Sequence, residues 1–409
     1  MINKIFFFNV IWSMGSHILS RGMLLLSGML LARNLPVDDF ATYNFFIMTA
    51  TIISNYSSMG LGVSSSRFFA EKKENQNTLI LGNLYSISLI LAIISSTLTF
   101  LFIDKVWSIE TYYKWLISAT VFFLILNIVP TGGVMGVEKY KDLFFLSIFN
   151  TFIMLIGVFI TIKTNNISIQ IYAYILSIVF LISAQSYILK EETELFRKVE
   201  NFIIRKNAIK EIISFGGVMS LVSILAATAP WLLGKIILDK YSSLYFSVYS
   251  IGLQWFSLAM FIPGIVSRLI LPRLVKQYKV DNQSKKEVRL TLLVTLSVSL
   301  LFLIIGTILS PHIMNWYGKE YTDFHEVIIL FFIISVIYTP INVLGNIIII
   351  KVNTRSWLFI TSIWFVFILS SVYPLMSYFG FLGALYAQGI AAILLNIISY
   401  HFCRKKELI

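Results

Sequence analysis

The chain has 409 residues, of which 57% are hydrophobic and 13% charged; its mean hydropathy is +0.83 and its formal net charge +12. No soluble domain needs that much apolar surface, so lipid is the medium for most of the chain. The positive charge sits in short loops between apolar stretches and asks for no nucleic acid, and the single cysteine, Cys403, just past the last span, excludes an internal disulfide.

At the N-terminus, Lys4 followed by Ile5, Phe6, Phe7 and Phe8 imitates the start of a signal peptide. The apolar run is soon broken by polar residues and no small-x-small cleavage site follows, so the segment is expected to be retained. The first span, residues 9–31, carries Arg21 near its midpoint. An arginine there costs roughly 2.5–3.5 kcal/mol on insertion scales, so it is expected to face something polar. His17 lies one turn away, and Ser13 and Ser20 share the same helical stripe. This predicts one wet, cationic face, the wall of a passage.

Hydropathy then predicts eleven further spans, at 40–61, 78–102, 113–133, 143–161, 167–189, 213–238, 244–271, 290–309, 327–350, 357–379 and 381–402. Lys and Arg fall twenty-three to seven on the loops that share a side with the termini. Both termini are therefore expected in the cytoplasm. The interruption at 190–212 lacks Pro and Gly, and Leu195, Phe196, Val199, Phe202 and Ile203 recur at helical spacing. It is expected to be an amphipathic helix on the inner leaflet, joining an N-terminal six-helix bundle (1–189) to a C-terminal one (213–409). A shift of 206 residues aligns Leu26 with Leu232, Gly28 with Gly234, Tyr43 with Tyr249 and Arg67 with Arg273. Six spans per half make this a parallel repeat, a transporter plan.

No phosphate-binding glycine loop, metal cluster or nucleophile elbow is present, and the outward loops are too short for a catalytic domain. His312 and His325, with Glu320, Asp323 and Glu326 beside them, are expected in a solvated loop rather than around a metal. Inside the spans lie Asn55, Asn127, Asn150, Gln185, Gln254, Asn342, Asn346, Gln388 and Asn396. Each alone suits interhelical glue, worth around 0.6 kcal/mol. Together they fit a hydrated cavity, and Asn55 and Gln254 join Ser13, His17, Ser20 and Arg21 as candidate substrate-binding residues. No Asp or Glu lies well inside any span, so Arg21 is expected to meet water, carbonyls or an anionic ligand. Its planar fork suits phosphate. His17 is the one titratable group there that could serve near neutrality. Pro130, Pro230, Pro263, Pro340 and Pro374 mark bendable points, Pro230 at the start of the second half above all.

The run Leu31-Ala32-Arg33-Asn34-Leu35-Pro36-Val37-Asp38-Asp39-Phe40-Ala41-Thr42-Tyr43 resembles the signature that joins the first two helices of polysaccharide flippases. Pro36 and Ala41 stand where that signature has glycines. The continuation Gly60-Leu61-Gly62-Val63-Ser64-Ser65-Ser66-Arg67-Phe68-Phe69-Ala70 resembles the one closing the second helix. These motifs mark the superfamily that also holds multidrug (MATE) exporters and lipid II flippases. The resemblance implies an all-α membrane protein of twelve transmembrane helices in two parallel six-helix bundles. It implies translocation of an undecaprenyl-diphosphate-linked oligosaccharide, such as an O-antigen unit, across a bacterial inner membrane. No covalent chemistry and no cofactor are expected. The partners it implies are that lipid-linked cargo and membrane lipid, with a glycan polymerase and a chain-length regulator beyond them. Related flippases line a central cavity with arginines, and Arg21 is the position that matches; Lys235 and Arg268, near span ends, are weaker candidates for which snorkelling is the simpler account. The rivals are a multidrug exporter of the same fold and, from another class, a membrane glycan polymerase or glycosyltransferase.

Overall fold

A computed structural model describes residues 4–58, 60–75, 78–107, 109–192, 202–204, 206–267 and 282–408. Helix α1 spans Lys4–Asn34, α2 Val37–Ser57, α3 Leu61–Asn75, α4 Thr78–Phe102, α5 Thr111–Gly136, α6 Tyr140–Thr164 and α7 Ile167–Glu192. Then come α8 (Lys206–Lys240), α9 (Ser243–Ala259), α10 (Asn282–Tyr317), α11 (His325–Lys351), α12 (Thr354–Phe379) and α13 (Leu382–Lys405). No strand occurs among the described residues. Eleven of these helices are long and apolar enough to cross a membrane.

Helix α2 falls below that hydropathy but is long enough to be a twelfth. Its 21 residues reach about 31 Å, a bilayer core, but Asp38 and Asp39 in the first turn and several hydroxyls lower its hydropathy. It hides Phe40, Tyr43, Phe45, Phe46 and Ala50 inside protein, which is how a less apolar helix persists. The predicted span 40–61 ends earlier, at Ser57. The expected basic inner loop is instead the separate helix α3, opened by Gly60 at φ 77°, a left-handed conformation suited to glycine.

The chain divides into two compact units, Met1–Ser27 with Tyr43–Ser220, and Gly28–Thr42 with Leu221–Ile409. In the first, α5 is the central helix, packed on α3, α4 and α7. Its core holds Leu61, Phe68, Phe69, Leu81, Leu84, Val129, Val134 and Leu189. Gly132 and Gly136 bring α5 against the backbone of α3, where a Cβ on Gly132 would lie 2.5 Å from the Gly62 carbonyl oxygen. The Ser65 hydroxyl donates to the Val129 carbonyl at 2.7 Å across the same seam. Small residues and a buried hydroxyl are what hold helices together where lipid supplies no hydrophobic drive.

In the second unit α11 takes the central place, packed on α9, α10 and α13. The units repeat one pattern: third membrane helix on fourth (α4 on α5, α10 on α11), sixth on fourth (α7 on α5, α13 on α11), fifth on sixth (α6 on α7, α12 on α13). The weak sequence repeat is thus a strong packing repeat.

The expected amphipathic connector falls mostly outside the described residues, which resume at Phe202. There the Ser86 hydroxyl and the Asn83 amide of α4 donate to the carbonyls of Phe202 and Ile203 at 2.6 and 3.1 Å. Lys139, in the turn between α5 and α6, pairs with Glu192 at 2.6 Å, and that bond holds its ammonium above the ordinary lysine range. Two expectations need correcting. Cys403 is fully buried inside α13, not beyond the last span. His312 and His325 do not share a loop: burial of Ile313, Met314 and Tyr317 carries α10 past His312, and His325 opens α11. Among the described residues no three His, Cys, Asp or Glu side chains converge on a metal-sized point.

Candidate functional site

Helix α1 runs unbroken for 31 residues, about 46 Å, because nothing between Lys4 and Asn34 is proline and most side chains are apolar. One side of it is fastened to α6. Trp12 packs on Phe144 with ring centroids 5.1 Å apart and planes tilted by 58°, Gly15 lets the Phe144 ring approach, and the Ser16 and Ser147 hydroxyls share a bond of 2.6 Å. At 100° per residue, the mean direction of Ser13, His17, Ser20 and Arg21 lies roughly 130° around the helix from that seam. Ser13, His17 and Arg21 are half-buried and Ser20 is exposed, its hydroxyl turned back to the Ser16 carbonyl at 2.9 Å. His17 and Arg21 both engage other groups of the protein. The structure therefore places a cationic fork and an imidazole one turn apart, on a side of α1 not used for packing on α6.

Asn55, near the end of α2 in the same unit, is half-buried, and its backbone carbonyl accepts from the Ser58 hydroxyl at 2.8 Å. Gln254 belongs to the second unit and has a structural setting. It is buried in α9, its Oε1 accepts from the Tyr317 hydroxyl at 3.4 Å, and that oxygen lies 2.6 Å from where a Cβ on Gly28 would stand. Other in-span amides act as fasteners: Gln185 accepts from Thr131 at 3.0 Å, and Asn396 donates to the Ile337 carbonyl at 2.6 Å. Lys235 is ion-paired with Asp239 one turn on. Arg268 lies outside the described residues.

Ser16 and Asn83 are fastening residues that stand outside the sequence candidates. The signal that finds Ser16 is the Trp-x-x-Gly-Ser spacing at 12–16, which puts an aromatic and two small residues on one helix face.

The polysaccharide biosynthesis protein family matches residues 7–245. The chain belongs to that family. No curated protein matches it. Among solved structures it is similar to an inward-facing multidrug resistance MATE transporter of the MOP superfamily, with a TM-score of 0.76, 16% identity, and 94% of this chain and 93% of that one covered. An outward-facing structure of such a transporter gives a TM-score of 0.71 at 16% identity, with 97% and 94% covered. A MATE protein in a straight conformation gives 0.72 at 15%, with 97% and 94% covered. This polysaccharide biosynthesis protein thus has the fold of MATE transporters, and its eleven long apolar helices fit a multi-pass membrane protein.

Proposed function

We propose that this protein moves an undecaprenyl-diphosphate-linked oligosaccharide, an O-antigen unit or similar glycan, from the cytoplasmic to the outer leaflet of a bacterial inner membrane. The observation that carries this reading is the half-buried Arg21 with His17 one turn away on α1, in a member of a polysaccharide family. A guanidinium presents a planar pair of donors that matches a phosphate bidentately, and the diphosphate is the one obligatory anion of such a cargo. Ser13 and Ser20 add hydroxyls along the same stripe, and Asn55 an amide. The lipid tail has no need to leave the bilayer, so only the polar headgroup requires a wet path. Alternating exposure of that path through motion of two repeated halves needs no covalent step.

The test is surface polysaccharide per molecule of inserted protein, in cells lacking the native copy and any substitute flippase. Arg21→Ala should lose export at normal abundance. Arg21→Lys should serve poorly because it keeps the charge without the fork, and Arg21→Glu should be at least as damaging as alanine. Near-normal export by Arg21→Ala overturns the proposal.

The structural neighbours favour a second reading, a multidrug exporter of the same fold. Resistance of a drug-sensitive host on expression, undiminished by Arg21→Ala, would select it.

A further inference from the structure

The second unit contains a polar cleft of about 390 Å³, lined by Ala32, Arg33, Leu35, Asn315, Gly318, Lys319, Glu320 and Tyr321. Two helix ends meet there. Helix α1 finishes at Asn34 and α10 at Tyr317, and Gly318, at φ 133°, turns the chain so that its Cα passes beside Arg33. Arg33, Asn315, Lys319 and Glu320 are all exposed at the cleft, and among the described residues their side chains make no hydrogen bond or ion pair. Tyr321, Ala32 and Leu35 are buried and give the cleft an apolar floor.

We propose that this cleft binds the saccharide headgroup of the cargo on the side of the membrane opposite the termini; the inference rests on the function proposed above. The mixture of side chains selects the ligand class. A bare phosphate wants cations alone and is repelled by the Glu320 carboxylate. A sugar presents hydroxyls that both donate and accept at neighbouring carbons, and its C–H faces are apolar. Arg33 and Lys319 supply donors, Glu320 supplies acceptors, Asn315 supplies both, and the floor takes a C–H face. Charges of both signs around one cleft fit a polyhydroxylated ligand. The volume falls within the range of small-molecule sites. Arg33 and Lys319 also sit where cations complement the negative ends of α1 and α10, but that role needs neither Asn315 nor Glu320.

The experiment uses the full chain in nanodiscs of zwitterionic lipid. The probe is the oligosaccharide cut by mild acid from the carrier-lipid pool of the expressing cells and tagged with a fluorophore at its reducing end. Fluorescence polarisation should register binding, and Glu320→Gln and Asn315→Ala should each weaken it about tenfold, with thermal midpoints unchanged because both positions are exposed. Binding by either variant equal to that of the unmodified chain overturns the proposal, as does failure of the unmodified chain to bind. Displacement of the probe by inorganic phosphate or by anionic vesicles assigns the cleft to phosphate and overturns it as well. Proteoliposomes holding the intact lipid-linked cargo separate this inference from the function it rests on. If the unmodified chain moves the cargo while the variants bind saccharide normally, only the cleft is wrong. If it moves none, the flippase reading is wrong.

Discussion

A Cβ on Gly136 would lie 2.3 Å from the Ser66 carbonyl oxygen, so α5 and α3 meet there backbone to backbone. Gly132, one turn earlier, makes the same kind of approach to Gly62. Neither partner is a side chain that can swing aside. Gly132→Ala and Gly136→Ala should each cost about 1–3 kcal/mol, because the helices must separate. Gly22, on α1, has nothing within 4 Å of its missing Cβ. Gly22→Ala should keep or raise stability, by up to about 1 kcal/mol on helix propensity. Thermal unfolding of the purified protein in detergent reads all three, and native-like melting of Gly136→Ala would contradict the contact.

Gln254 and Gly28 form a second coupled pair. Gly28→Ala should drive the Gln254 amide off the Tyr317 hydroxyl, a loss of about 0.5–1.5 kcal/mol. In a Gln254→Ala background the same change should be nearly free, since the obstacle is gone. A double-mutant cycle on thermal midpoints measures the coupling, and strict additivity would mean that the two residues do not touch.

Pro230 stands inside α8, which continues through it to Lys240, and its carbonyl accepts from the buried Tyr249 hydroxyl at 3.1 Å. Tyr249→Phe should lower stability by about 0.5–1.5 kcal/mol through loss of that bond. Pro230→Ala should reduce transport more than abundance, because proline removes a backbone donor and leaves a bendable point. Equal losses of transport and protein level would make Pro230 a packing residue.

Charge distribution predicts cytoplasmic termini and a cytoplasmic 190–212 segment. Reporters fused after Lys198 and at the C-terminus should both behave as internal. An external signal at either would overturn the orientation and, with it, the exit-side placing of the Arg33 cleft.

The fold class was legible because lipid imposes a simple code, long apolar runs separated by basic loops. Helix α2 was legible as the span 40–61, although protein covers Phe40, Phe45 and Phe46 and the helix ends at Ser57. One element escaped that code. Helix α3 is basic, with Arg67 paired to Glu71 at 2.6 Å, so hydropathy saw a loop where glycine-lined packing makes a helix. Of the candidate site, the stripe of Ser13, His17, Ser20 and Arg21 followed from 100° of rotation per residue. The setting of Gln254 did not, because it depends on Gly28 and Tyr317, which are remote in sequence and adjacent only after folding.

The signature at 60–70 is occupied by packing: Gly62, Ser65, Ser66 and Phe69 all press on the α5 glycines. A genetic selection for altered cargo should therefore recover almost nothing from those four positions, where changes part the two helices. Under the proposed function, suppressors that widen or switch the exported glycan should map instead to the turn around Gly318, since the α1 stripe answers to the diphosphate common to every cargo. A cell that changes its surface polysaccharide would then rewrite that turn and leave intact both the stripe and the seam by which the protein is recognised.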